Sequence, residues 1–357
     1  MKAVLISGVL SLLFSLFGTR LAIGFFSRRG YGQEIREDGP QTHITKRGTP
    51  TMGGIAIVGA AVGGYLLAKL STGTMPTSSG LLLLFLFVGM GLVGFLDDFI
   101  KVFKQRNLGL RSRAKMIGQT GIALVFGAAA LMAERHDGLR PADLYFSTIH
   151  NFGPKLPLIV VLALIWLIVT ATSNAVNLTD GLDGLATGAC VMVFGAYTIV
   201  NIWQVRQACY LGPKVVDQAH CYSVRDPQDL AILAAAITGA CFGFLWWNAS
   251  PAKIFMGDTG SLALGSALAG FAVLTRTEGL MVLLGGLFVI ETCSVILQVG
   301  YFKATKGKRI LRMAPVHHHF EMLGWEQVTV VIRFWIICGL FVTLGLGLFY
   351  GAWVANH

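Results

Sequence analysis

Residues Leu81–Lys101 read LLLLFLFVGMGLVGFLDDFIK. About twenty apolar residues in a row match the thickness of a bilayer core, and this run ends on two adjacent carboxylates and a lysine. An apolar helix of that length is a membrane span. Acids at its end are costly without a partner and read as functional. Similar stretches recur along the chain, at 4–25, 52–70, 116–133, 157–172, 185–203, 230–247, 258–274, 280–301 and 328–354. The expected fold is therefore an all-α integral membrane protein of about ten helices, with 1–357 forming a single polytopic domain. The stretch at 258–274 is the least convincing span, because it is short and rich in glycine. Composition agrees: 54% of the 357 residues are hydrophobic and 13% charged, against roughly 45–50% and 25% in soluble domains.

Lys and Arg orient the bundle. The loops after the first, third, fifth, seventh and ninth spans hold roughly twice as many Lys and Arg as the opposite side. The first set is expected to be cytoplasmic, with both termini outside. The first span reads as an uncleaved anchor, since its charged flank follows the apolar run. The net charge of +10 belongs to juxtamembrane residues that meet anionic membrane lipids, so nucleic acid is not an expected partner. Cys209 and Cys221 share an outer loop and could close a disulfide. Cys190, Cys241, Cys293 and Cys338 fall inside apolar helices and read as small core residues.

This topology puts Asp97, Asp98, Asp180, Asp183 and Asp258 on one face, where distant helices could unite them in an acidic site suited to Mg²⁺ and phosphate chemistry. Adjacent residues on a helix point about 100° apart, so Asp97 and Asp98 are expected to play different roles; the alternative is a solvated helix end with Asp98 paired to Lys101. In Asn174–Leu185, NAVNLTDGLDGL, residues Asn177, Asp180 and Asp183 recur every three positions. They can take a divalent cation and a nucleobase or ribose, or form an Asx-rich turn. The segment 46–54, KRGTPTMGG, combines Lys46, the hydroxyl of Thr51 and glycines at a helix start. It is either an anion cradle or a proline-led cap with close glycine packing. In 255–261, FMGDTGS, Asp258 could be a helix N-cap or a member of the acidic site, with Phe255 a surface for stacking a base. In 315–321, PVHHHFE, three consecutive His cannot face one metal, so phosphate and sugar contacts fit better, with one His structural. Glu291, inside the ninth span, reads as a buried hydrogen bond to a neighbouring helix.

These five motifs, in this order over essentially the whole chain, resemble the polyprenyl-phosphate N-acetylhexosamine-1-phosphate transferase superfamily and, by PVHHHFE, its phospho-N-acetylmuramoyl-pentapeptide branch. The resemblance implies transfer of phospho-MurNAc-pentapeptide from UDP-MurNAc-pentapeptide to undecaprenyl phosphate in the bacterial cytoplasmic (inner) membrane, giving lipid I and UMP with Mg²⁺ as cofactor. It implies Asp258 as metal ligand with Asp180 beside it, and Asp97 and Asp98 as the pair for metal or lipid-phosphate handling and for proton removal, with Asp98 the candidate base. Asn177, Asp180, Asp183 and Phe255 match nucleotide contacts, and Lys46, Thr51, Lys101, Lys115, His317 and His318 match polar positions lining the pocket. A second copy of the chain is a candidate partner. The competing readings are a GlcNAc-1-phosphate transferase of the same superfamily and a secondary transporter. A transporter should show repeat symmetry and acids near mid-membrane; here the five acids cluster at one face and no repeat is visible.

Overall fold

The computed structural model describes residues 1–29, 32, 48–104, 109–134, 138–149, 151–212, 216 and 221–354. Lys46 lies outside them. Ten of the described helices are long and apolar enough to span a membrane: α1 (Lys2–Arg28), α2 (Gly54–Ser71), α3 (Ser78–Phe103), α4 (Ser112–Met132), α5 (Leu158–Thr179), α6 (Leu185–Arg206), α7 (Pro227–Asn248), α8 (Gly257–Leu274), α10 (Gly286–Ala304) and α12 (Gln327–Val354). Two short helices, α9 (Glu278–Leu284) and α11 (Val316–Glu321), a 3-10 turn (Cys209–Leu211) and a two-stranded hairpin, β1 (Phe146–Ser147) with β2 (Asn151–Phe152), complete the described elements. The stretch 280–301, expected as one helix, is broken at Gly285 into α9 and α10.

Burial sorts the helices. The least hydropathic span, α8, is the most enclosed, with 89% of its core window buried, whereas α1 and α10 have only 22%. A helix surrounded by protein need not be greasy, because it meets no lipid; Gly, Ala and Ser instead let its neighbours come close. That composition weakened the span in the sequence and centres it in the fold. The lipid-facing α1 shows the complement: Leu5, Val9, Leu13, Phe17 and Leu21 are exposed, while Ser7, Ser11, Ser15 and Thr19, one turn apart, are buried; Ser11 meets Gly64 of α2, Ser15 meets Gly243 of α7, and the Ser7 hydroxyl donates to the Ile232 carbonyl of α7 at 2.9 Å.

α3 and α5 end, and α8 begins, at one end of the bundle. Their approach is set by residue size. A Cβ at Gly94 of α3 would fall 2.1 Å from the Asp258 carbonyl oxygen, so α3 reaches the α8 backbone only through a glycine. At the other end, Asp229, an acid that the sequence reading passed over, ties the helices together. It pairs with Lys69 at 3.0 Å and accepts from the Tyr65 hydroxyl at 2.9 Å and from the Thr77 N–H at 2.8 Å. Cys209 and Cys221 are disulfide-bonded at that same end, beyond the C-terminus of α6. Of the four free cysteines, Cys190, Cys241 and Cys338 are buried, but Cys293 is exposed on the flank of α10 rather than being a core residue.

Candidate active site

The ends of α3, α5 and α8 bring four of the five acids together. α8 starts at Gly257, and the first N–H groups of a helix have no partner within it. Asp98 supplies one from α3: its carboxylate accepts from the Asp258 N–H at 3.1 Å, the Thr259 N–H at 2.9 Å and the Thr259 hydroxyl at 2.7 Å. An acid badly placed at the C-terminus of its own helix is thus well placed at the N-terminus of another. Asp97, on the next face round, accepts from the Leu110 N–H at 2.8 Å and pairs with Lys101 at 2.6 Å. The two carboxylates therefore meet different partners, as their spacing on the helix suggests.

Asp258 is the hub. It receives the Lys101 ammonium at 3.0 Å, the Lys115 ammonium at 2.8 Å and the Asn177 amide at 2.6 Å, so one side chain gathers α3, α4 and α5 around the head of α8. Asn177 also donates to Ser261 Oγ at 2.8 Å. Among the described residues, Asp97, Asp98 and Asp258 form the group able to share one cation, with ligand oxygens within 4.8 Å of one another. The sequence paired Asp258 with Asp180, which accepts from the Gly257 N–H.

Burial, then the charges of Asp258 and Asp98, push the Asp180 carboxyl up from 3.8 to about 8, against the pull of the Gly257 N–H. An acid whose pKa is raised on folding costs stability as it ionises; the cost is absent below the unfolded value and complete above the folded one. Asp180→Asn in metal-free buffer is thus expected to raise the melting temperature more at about pH 8.5 than at about pH 5. An equal shift at both pH values, read by thermal unfolding, would show that Asp180 does not carry this cost.

The remaining residues line the approaches. Thr51 is buried next to Gly257. Gly53 and Gly54 donate their N–H groups to the carbonyls of Phe255 and Met256 at 2.9 and 2.8 Å, and the Phe255 N–H donates to Pro50. Those two glycine N–H groups are therefore spent on backbone pairing with the 255–261 segment, which favours the close-packing reading there over an anion cradle. Phe255 is half-buried. Asp183 is buried and accepts from the Ala252 N–H at 3.2 Å, bracing the chain between α7 and α8. The edges of His317 and His318 both meet Gly181, next to Asp180. Their Nδ1 nitrogens are held by acids, that of His317 by Glu291 at 3.0 Å and that of His318 by Glu321 at 2.7 Å. Thr259, Ser261 and Glu321 were not singled out from sequence; the hydroxyls one and three places after Asp258 were the available signal.

Comparison with known proteins matches residues 80–276 to the glycosyl transferase family 4 model and residues 46–58 to the phospho-N-acetylmuramoyl-pentapeptide-transferase signature 1. A phospho-N-acetylmuramoyl-pentapeptide-transferase of a Nocardioides species is 68% identical over 365 aligned positions, covering 100% of both chains. Relatives of the same name from Kineococcus radiotolerans and Frankia alni are 59% and 57% identical, each aligned over 100% of this chain.

Proposed function

The chain belongs to the phospho-N-acetylmuramoyl-pentapeptide-transferase family within glycosyl transferase family 4, and from that premise we propose that it moves phospho-MurNAc-pentapeptide from UDP-MurNAc-pentapeptide to undecaprenyl phosphate, releasing UMP and forming lipid I. One observation carries the reading: three carboxylates and two lysines, drawn from α3, α4 and α8, meet at a single point at the end of a membrane bundle. A phosphate monoester attacking a diphosphate brings like charges together, so catalysis is mostly positioning and charge neutralisation. One substrate is soluble and the other is a membrane lipid. A site at the mouth of the helices serves both.

Hard oxygen ligands in that number suit Mg²⁺, and Asp97, Asp98 and Asp258 are the residues that would hold it. When bound, it would neutralise charge on the diphosphate. Lys101 and Lys115 serve the same end from the protein, poised over Asp258 to turn towards an incoming phosphate. Asp98 keeps the head of α8 in place. Asp97, which pairs with Lys101, accepts one N–H and lies against the Asp258 carboxyl, is the carboxylate we assign to orienting the lipid phosphate or taking its proton. Asn177, Asp180, Asp183 and Phe255 form the nucleotide side, with Thr51 on the neighbouring segment.

We place this site on the cytoplasmic face of the bacterial inner membrane, with both termini outside. The Lys and Arg bias supports that orientation, as does the disulfide at the opposite end, where an oxidising compartment is needed. Purified protein incubated with undecaprenyl phosphate, Mg²⁺ and either UDP-MurNAc-pentapeptide or UDP-GlcNAc tests the reading. UMP release is expected with the muramoyl donor alone. Release with UDP-GlcNAc alone would move the protein to the other branch, and release with neither would reopen the transporter reading.

A further inference from the structure

Glu291 lies inside the spanning helix α10 with no exposed surface. A carboxylate in that position needs a partner. Its partner is His317, which is also wholly buried, with Nδ1 3.0 Å from Glu291 Oε2. The short helix α11 that carries His317 is moored to the same turn of α10: the Val316 N–H donates to Ser294 Oγ at 3.0 Å, and that hydroxyl donates to the Glu291 carbonyl at 2.6 Å. The imidazole is therefore fixed at one edge and can offer only the other.

That other edge faces the proposed donor site. His317 Nε2 has no hydrogen-bond partner among the described residues, and a Cβ built at Gly181 would lie only 2.3 Å from it. Gly181 sits between Asp180 and Leu182, in the loop that the proposed function assigns to the nucleotide. A buried polar atom without a partner is uncommon in a native protein and calls for an explanation. A ligand atom missing from the protein alone provides one. His318 Nε2 lies 3.2 Å from the same point at Gly181, so two imidazole edges border the position.

We propose that Glu291 is a positioning residue for the sugar-nucleotide donor: it accepts the Nδ1–H of His317, which leaves Nε2 to accept a hydrogen bond from a hydroxyl of the donor beside Asp180. The proposal rests on the transferase reading, because it takes the donor from there. Carboxylates that orient a histidine through its far nitrogen are a general device for fixing which edge of the ring does the work. The competing explanation, a tie between α10 and α11 with no role towards the donor, makes a different prediction.

The test is a double-mutant cycle on the full-length solubilised protein, reading the Kd of UDP-MurNAc-pentapeptide by calorimetry without acceptor lipid. Glu291→Ala and His317→Ala should each weaken binding roughly ten- to a hundred-fold, and the double variant should bind no worse than His317→Ala alone. Losses that multiply, or a lowered melting temperature with donor affinity at the wild-type value, overturn the proposal. Should the alanine variant not fold, Glu291→Gln keeps the volume but offers an amide that can either donate or accept. It should weaken binding in the wild-type background and change nothing in His317→Ala. Wild-type turnover is measured in parallel: donor binding without UMP release defeats the transferase reading while the cycle still decides the role of Glu291, and a wild type that does not bind the donor defeats both.

Discussion

Asp258→Ala is expected to leave a folded protein whose release of UMP falls by at least about 10²-fold. The expectation follows from how much converges on one carboxylate. Lys101, Lys115 and Asn177, from three different helices, all direct their polar groups at it. Without it, two ammonium groups lose their common counter-charge, and the cation site loses one of its three carboxylates. The fold should survive because the head of α8 is held by Asp98 and by the Gly53 and Gly54 N–H groups, none of which uses the Asp258 side chain. Mg²⁺-dependent binding of the donor should disappear together with turnover. Near-normal turnover at ordinary Mg²⁺, in protein of unchanged melting temperature, would contradict the assignment.

Asp98→Asn should behave differently, lowering both stability and activity. The Asp98 carboxylate accepts three hydrogen bonds from Asp258 and Thr259. An amide has one accepting oxygen and is uncharged, so the variant should lose on the order of 1–3 kcal/mol of stability. As the head of α8 loosens, Asp258 shifts relative to Lys101 and Lys115, and a displacement of about 1 Å in such a site can cost on the order of 10²-fold in rate. The loss should be the same across the pH range of the assay if this carboxylate serves as the cap that its three hydrogen bonds form. A loss confined to low pH, where more of the acceptor phosphate is monoprotonated, with an unchanged melting temperature, would return Asp98 to the role of base that the sequence suggested.

Much of this was legible in the chain. A span is recognised from length and hydropathy alone, and the acids at the ends of α3, α5 and α8 stand out because a carboxylate next to an apolar run is expensive. Their meeting on one face follows from alternating helix direction. What could not be read depends on which backbone lies opposite. Asp98 looks like a free acid until α8, far along the chain, presents its unpaired N–H groups. Gly53 and Gly54 suggest a phosphate cradle, but their N–H groups are taken by residues 255 and 256. Gly94 gives no signal until the Asp258 carbonyl is seen against it. α8 misled for a physical reason, since hydropathy measures contact with lipid and this helix is enclosed by protein. Glu291 was read correctly as a buried hydrogen bond to a neighbouring helix, although its partner on α11 was not named.

The central claim, that the cluster around Asp258 is a donor site open to the cytoplasm, is tested most directly in sealed membrane vesicles of defined orientation. UDP-MurNAc-pentapeptide is membrane-impermeant and is added outside, with undecaprenyl phosphate and Mg²⁺ present, and UMP release is followed. Inverted vesicles, which expose the cytoplasmic face, should release UMP, and right-side-out vesicles should not until they are permeabilised. Equal release from intact vesicles of both orientations, or release from the right-side-out ones alone, would contradict the placement of the site.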